Sequence, residues 1–392
     1  MKKKMILPIL VSIALVGISF QANSSITFSE PEINCKSHEK MLGIDANYVN
    51  QMKESIYRWR KGLTPINVYS FFKENGINYH RLRIFVKDEG PDSLQYAINT
   101  AKIVQDVGMK CSITLFLSSD WSDIGKQPAP EPWVEQYDWF NLTENQQCSI
   151  IRNYTKNITK DLLSNGIDAD LYEIGNEIDY GICGIYEDNL VDRENIPWME
   201  NTIWRQMAAF IQAGIEGVQS VDETSAFILH ITHWWDYNFS SAFFTTMEKE
   251  GIRFDYMGLS FYPSSGIYNI TKALMGEGNG TLSQQLFFDT TLNLSQNLGK
   301  QIIISEYAYP SSSLIIGPFS SFNREVQGYP LTKQGQKGWL RDFLRWTDEQ
   351  PCIAGSFYFS PEFYVFIWAP MSLFTYFGKV KPAIDAFDQF SS

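Results

Sequence analysis

Histidine is scarce in this chain, with four in 392 residues, and its five cysteines form no CxxC pair. That argues against a zinc site, which needs clustered thiolates and imidazoles. His230 and His233 lie three apart at the end of a β-rich run, so on a strand they face opposite sides. Basic charge is also short: 32 Lys and Arg stand against 44 Asp and Glu, a net charge of −12. Nucleic acid is excluded as a partner on that ground, because a polyanion would be repelled over most of the surface. No glycine-rich phosphate loop follows the first β-rich run, which disfavours an open nucleotide-binding sheet. No low-complexity linker or charge block divides the chain. Past the N-terminus there is no stretch of 18 uncharged apolar residues, so no further membrane segment is expected. Neither a metal nor a cofactor is expected.

What is present begins with an export signal. Lys2, Lys3 and Lys4 form a positive start, residues 5–20 are uncharged and apolar, and small or polar residues follow around Ala22 and Ser24. Residues 1–22 read as a signal peptide, cleaved or kept as an anchor, and 23–40 as a leader. Residues 41–392 read as one catalytic domain. Asn-x-Ser/Thr sequons at Asn23, Asn141, Asn153, Asn157, Asn238, Asn269, Asn279 and Asn293 agree with secretion and glycosylation. In an oxidising compartment Cys35, Cys111, Cys148, Cys183 and Cys352 would form one or two disulfides and leave a thiol over. Aromatics reach 15%. Such side chains suit stacking on sugar rings, and equally a large core.

Short β-rich runs recur at 41–45, 79–86, 111–117, 170–174, 226–231, 256–261, 301–305 and 353–359. Stretches with helical spacing separate them, at 92–107, 145–163 and 203–218 among others. Several end in glycine just before the next run (Gly76, Gly108, Gly166, Gly251, Gly299), as a helix C-terminus does. Eight strand–helix alternations predict an α/β fold, a (β/α)8 TIM barrel. The longest strand-free stretches (118–145, 179–199, 263–282, 310–332) follow strand C-terminal ends, the face on which barrel enzymes build their sites.

Two carboxylates stand out on that face. Glu177 closes Tyr172-Glu173-Ile174-Gly175-Asn176-Glu177 after the fourth run, and Glu306 closes Ile302-Ile303-Ile304-Ser305-Glu306 after the seventh. Such a pair is what glycoside hydrolysis requires: one acid protonates the departing oxygen, and one carboxylate attacks or stabilises the anomeric carbon. Arg81 and Arg83 share one strand face, and an unpaired buried guanidinium would be costly, so a carboxylate partner is implied. An ion pair between layers is the expectation for Arg83.

These stretches resemble glycoside hydrolase family 53, the arabinogalactan endo-β-1,4-galactanases. The similarity runs from about Leu42 to about Pro361 through LGID at 42–45, INYHRLRIFV at 77–86, and Asp120-Trp121-Ser122-Asp123 with Gln127. It continues through IGNEI at 174–178, LHITHWWD at 229–236, FDYMGLSFYP at 254–263 and ISEYAYP at 304–310. The resemblance implies a retaining double displacement on β-1,4-galactan or arabinogalactan, with Glu177 as acid/base and Glu306 as nucleophile. It further implies that Asn176 holds the sugar 2-hydroxyl, Arg81 keeps the nucleophile ionised and Tyr262 hydrogen-bonds it. Trp121, Asp123, His230 and Asp236 are implied as further substrate contacts. Two departures stand out. Where the family's third strand ends DFHYSD, this chain has Thr114-Leu115-Phe116-Leu117-Ser118-Ser119. Where its eighth ends FYWEPAW, this chain has Phe357-Tyr358-Phe359-Ser360-Pro361-Glu362-Phe363. Phe116 and Phe359 are both expected to line the pocket and to relax the choice of sugar. A mannan or glucan hydrolase, or a silent carbohydrate-binding barrel, are the alternatives. The partner expected is a polysaccharide, and the chain is expected to be a secreted monomer.

Overall fold

The computed structural model describes residues 39–269, 275–277 and 279–388. Eight strands run parallel: β1 (Met41–Asp45), β2 (Tyr79–Ile84), β3 (Lys110–Leu115), β4 (Ala169–Ile174), β5 (Ala226–Ile231), β6 (Tyr256–Phe261), β7 (Gln301–Tyr307) and β8 (Ile353–Phe359). They pair in chain order, and β1 meets β8 to close the barrel. The main helices are α1 (Val68–Glu74), α2 (Leu94–Asp106), α3 (Glu144–Ser164), α4 (Ile203–Gln219), α5 (Tyr237–Lys249), α6 (Gly280–Leu298) and α7 (Lys333–Glu349). This is a (β/α)8 TIM barrel, as the eightfold alternation predicts.

Three strand ends differ from the sequence reading, β2 among them, which stops at Ile84 rather than at residue 86. The third strand stops at Leu115, because Leu117 takes a left-handed φ of 52° that no strand accommodates. β7 instead runs on to Tyr307 through a bulge. Gly258 pairs with Ile303 and Ser260 with Glu306, so β7 spends one more residue than β6 over the same interval. The same excess appears against β8, between Ile304 and Tyr307. A bulge re-aims the side chains it carries, and here it carries Glu306.

The barrel interior is layered. Tyr79, Leu171, Ile228, Ile303 and Phe357 form an apolar plug, separate from the larger core between strands and helices. Gly43 is required beside that plug, since a Cβ there would sit 2.2 Å from the Phe357 ring. Above it, toward the strand C-termini, the interior turns polar: Asp45, Arg81, Glu173, His230, Ser260 and Glu306 are all buried.

The expectation of one or two disulfides finds no pair among the described residues. Cys111, Cys148 and Cys183 carry buried free thiols. Each packs in the core as a small apolar side chain. Burial pushes the Cys111 thiol up to about 12, which suppresses the thiolate that exchange requires. Cys35, the signal, the sequon Asn23 and nearly all of the leader lie outside the described residues, as does the Asn269 side chain. The sequon asparagines Asn141, Asn153, Asn157, Asn238, Asn279 and Asn293 are all exposed.

Candidate active site

Glu177 and Glu306 face the same cavity, a cleft of about 670 Å3 at the C-terminal end of the strands. Glu177 reaches it from a turn rather than a strand. After β4 ends at Ile174, Gly175 takes φ 82° and Glu177 φ 47°, folding the chain back over the barrel mouth. A left-handed conformation at a non-glycine residue costs on the order of 1–3 kcal/mol, so the surroundings must hold it. They do: Gln127 donates its side-chain amide to the carbonyls of Asn176 and Glu177, at 2.9 and 3.1 Å.

One cation organises the floor beneath. The Arg81 guanidinium donates to Asp45 (2.7 Å), Glu306 (3.0 Å), Glu173 (2.5 Å) and the Asn176 amide oxygen (2.7 Å). Its three carboxylate partners come from β1, β4 and β7, so a single residue of β2 ties four strands together. Burial alone would raise the Glu173 carboxyl, but Arg81 and His230 outweigh it and hold it down at about 2. Glu306 gains a second donor from Tyr262, whose hydroxyl reaches its other oxygen at 2.8 Å. Burial raises Glu306, and Arg81 is the largest influence opposing that rise.

Among the described residues no cation pairs with Glu177. The Ser260 hydroxyl donates to it at 2.6 Å, and the same hydroxyl lies 2.8 Å from His230 Nε2. His230 Nδ1 is 3.0 Å from Glu173, which fixes Nδ1–H toward that carboxylate and leaves Nε2 facing the serine. Burial raises the Glu177 carboxyl well above the usual range, with the charges of Glu306 and Asp123 adding to it. Ser260 and Tyr262 are two residues apart and therefore point the same way, so β6 and its first following residue serve both carboxylates.

Of the remaining sequence-predicted residues, Trp121, Asp123, Tyr262 and Phe359 line the cleft. Trp121 Nε1 donates to Asp123 at 3.1 Å, which fixes the indole. Arg81, Asn176 and His230 are buried behind the cleft wall. Asn176 gives its amide to the Ser122 carbonyl at 2.9 Å. Two expectations about position are corrected. Phe116 is fully buried and is absent from the lining; its ring packs 5.3 Å from Trp121 and 4.4 Å from Phe85, under the platform. Asp236 instead caps α5, accepting from the backbone N–H groups of Asn238 and Phe239. Arg83 forms ion contacts at 3.7 Å to Asp45 and 3.6 Å to Asp92. Its guanidinium also underlies the rings of Tyr48, Trp121 and Phe359 at 4.9, 5.1 and 5.8 Å, a cationic base for the aromatic cleft.

The sequence reading missed Asp45, Glu173 and Ser260 as parts of the site, together with the cleft walls Trp234, Phe319, Phe322 and Trp368. Strand alternation carried a signal for Glu173: Leu171 and Glu173 share one face, and an acid on a buried strand needs a cation opposite. For Phe319, Phe322 and Trp368, in loops after β7 and β8, no periodic signal exists.

Comparison with known proteins accords with this arrangement. The model of the glycosyl hydrolase family 53 matches residues 41–387. Among curated relatives, the arabinogalactan endo-beta-1,4-galactanase A of Aspergillus niger is 26% identical over 365 residues, 91% of this chain and 90% of the relative. An uncharacterized protein of Niallia circulans is 27% identical over 344 residues, 86% of each chain. Among solved structures, the Ignisphaera aggregans GH53 catalytic domain superposes with a TM-score of 0.74 at 21% identity, covering 93% of this chain and 98% of that one. A fungal beta-1,4-galactanase gives 0.72 at 21% identity, covering 88% and 98%. With the family model spanning nearly the whole barrel, this chain is a glycoside hydrolase and belongs to glycosyl hydrolase family 53.

Proposed function

We propose that this chain is a secreted retaining endo-β-1,4-galactanase, acting on β-1,4-galactan or arabinogalactan through Glu177 and Glu306. The observation that carries the reading is the contrast between two buried carboxylates in one cleft. Burial raises both, but Glu306 sits against Arg81 and Tyr262, which oppose the rise, while Glu177 is raised further with a neutral serine as its hydrogen-bond partner. In that state Glu306 attacks the anomeric carbon as the glycosidic bond breaks. The Glu177 proton passes to the leaving oxygen, and the sugar is left esterified to Glu306. In the second step Glu177, now a carboxylate, takes a proton from water. The water oxygen bonds to the anomeric carbon and Glu306 is released. Ser260 and His230 serve as positioning residues in this scheme. When Glu177 is ionised the serine hydroxyl donates to it, and when it is protonated the hydroxyl turns toward His230 Nε2.

The curated relatives named as galactanases support galactan, and the aromatic cleft supports a chain of sugar rings stacked on Trp121, Phe359 and their neighbours. Export follows from the signal at residues 1–22, with glycans on the exposed sequons and residues 41–392 acting as a monomeric catalytic domain. The test is reducing-end release from β-1,4-galactan, arabinogalactan, mannan and mixed-linkage glucan, with the first product anomer read by NMR. Galactan hydrolysis with retained configuration is expected. Inverted product, or a crystal structure with the two carboxyl groups near 9 Å apart rather than about 5–5.5 Å, would rule out the covalent step. Equal inactivity on all four polymers would leave only a binding role.

A further inference from the structure

The same face of the barrel carries a second cavity, of about 650 Å3, whose lining includes Arg60, Lys333, Lys379 and Lys381. In a chain of net charge −12, three cations (Arg60, Lys333 and Lys379) around one hollow with no carboxylate in its lining is a pronounced local reversal. Asp385, four residues past Lys381, is engaged with Lys337 at 2.5 Å. Lys381 is only 3% exposed, and its ammonium is met by backbone carbonyls alone: Ala369 at 2.7 Å, Pro370 at 3.1 Å and Ser372 at 2.5 Å. Burial and the nearby Lys333 push the Lys381 amine well below the ordinary lysine range, so the positive field at the cavity wall comes from Arg60, Lys333 and Lys379.

The rim adds a second feature. Arg60 pairs its backbone with Gly378 and Val380, which anchors a tight turn at residues 375–379. Gly378 lies so close to the segment leading into Arg60 that a Cβ would fall 2.0 Å from the Arg58 carbonyl. The turn therefore thrusts Tyr376 and Phe377 outward, 44% and 75% exposed, and Tyr376 meets the exposed ring of Phe366 at 5.9 Å. Cations beside exposed aromatic faces match a sugar that carries a negative charge: the ring stacks and the carboxylate takes the ammonium or guanidinium groups. The hollow also adjoins the catalytic cleft. Ile367 and Trp368 line the cleft, and the next two residues, Ala369 and Pro370, line the basic cavity.

We propose that this cavity is an accessory subsite for a carboxylate-bearing glycan, which docks uronate residues of a mixed polysaccharide beside the cleft. The inference rests on the polysaccharide-hydrolase reading above, and would make the natural substrate a neutral chain attached to or interspersed with acidic sugars. The experiment uses the full chain with Glu306→Ala to prevent turnover. Binding of an α-1,4-linked galacturonic acid hexamer is measured by calorimetry at 20 and 200 mM salt, with a neutral galactose hexamer for comparison. Lys333→Glu and Lys379→Glu, both at exposed positions, are the test variants. The acidic hexamer should bind, weaken with salt, and lose at least about tenfold in affinity in the double variant, while the neutral hexamer is unaffected. In the otherwise wild-type background, the double variant should keep its turnover of neutral galactan and lose activity only on polymer containing uronate. No detectable binding of the acidic hexamer, or binding that ignores both substitutions, overturns the subsite. Equal competition by inorganic phosphate or by vesicles of anionic phospholipid overturns the glycan assignment. Loss of neutral galactan hydrolysis in wild type would instead be a failure of the catalytic reading, so the two remain separable.

Discussion

Glu306 and Glu177 close the same cleft, yet the chain supports them in opposite ways. Glu306 is delivered by a bulged strand into a ring of ready-made partners, with Arg81 on one oxygen and Tyr262 on the other. Glu177 arrives on a left-handed turn and receives a neutral serine. Burial is the largest influence on both carboxyls, but Arg81 opposes it at Glu306, whereas the charges of Glu306 and Asp123 add to it at Glu177. Two residues of one type thereby acquire different proton affinities, because environment rather than identity sets a carboxyl's behaviour.

The sharpest way to break this contrast is to remove each carboxyl in turn. Glu306→Ala should abolish turnover, and azide should restore it with a product of inverted configuration. Glu177→Gln should lose about 10²–10⁴-fold, most severely on substrates with poor leaving groups. Steady-state kinetics on aryl glycosides of graded leaving-group pKa would decide it; near-normal activity in both variants would remove the two residues from catalysis.

Arg81 is the next largest effect. Arg81→Met leaves Asp45, Glu173 and Glu306 buried without their shared cation, at a cost of roughly 3–5 kcal/mol. Denaturant unfolding near neutral pH should show that loss. The pH dependence follows from Glu173: its folded pKa of about 2 lies below the ordinary value, so its stabilisation is complete above about pH 4.5. It is lost as pH falls toward 2, and the variant should show less of this acid sensitivity.

Smaller substitutions separate the two carboxyls. Tyr262→Phe removes a hydrogen bond that lowers Glu306, so the acidic limb of kcat/KM should move to higher pH. Ser260→Ala removes one that lowers Glu177, so the basic limb should move up instead. Each should cost roughly 10- to 150-fold in kcat at the optimum, the equivalent of about 1.5–3 kcal/mol for a hydrogen bond to a charged group. If both variants shifted the same limb, the assignment of distinct environments would fail.

The smallest effect concerns Glu362, near neither carboxyl. Burial pushes it up to about 8, with one oxygen accepting from the Tyr48 amide and the other unpartnered. A raised folded pKa means its contribution is full below about pH 4.5 and is lost as pH rises through 8. Glu362→Gln should match wild type at pH 5 and melt a few degrees higher at pH 8 to 9, by thermal unfolding. An equal Tm difference at both pH values would show that ionisation is not involved.

The barrel was legible because its causes are local. Eight apolar runs of strand length, helical spacing between them and glycines at helix ends are chain-order facts. The five glycines named for those ends do adopt left-handed φ, from 66° at Gly299 to 87° at Gly76. Glu177 and Glu306 were legible for a related reason: each follows a buried strand that points its C-terminal end at the rim. What stayed hidden depended on residues far apart in sequence. That one guanidinium answers three carboxylates, and that Ser260 stands between His230 and Glu177, follows from barrel closure and from a one-residue bulge. Phe116 shows the limit most plainly. Its sequence position at a strand end implied a place in the cleft, but the left-handed turn at Leu117 leaves its ring beneath Trp121. The cysteines show it too, since five thiols behind a signal-like N-terminus invite the expectation of pairing, and packing set Cys111, Cys148 and Cys183 into the core unpaired. Periodicity and end signals act over a few residues and therefore survive in the sequence. Which side chains meet across the barrel is decided by register, bulges and loop paths, and those exist only once the chain has closed.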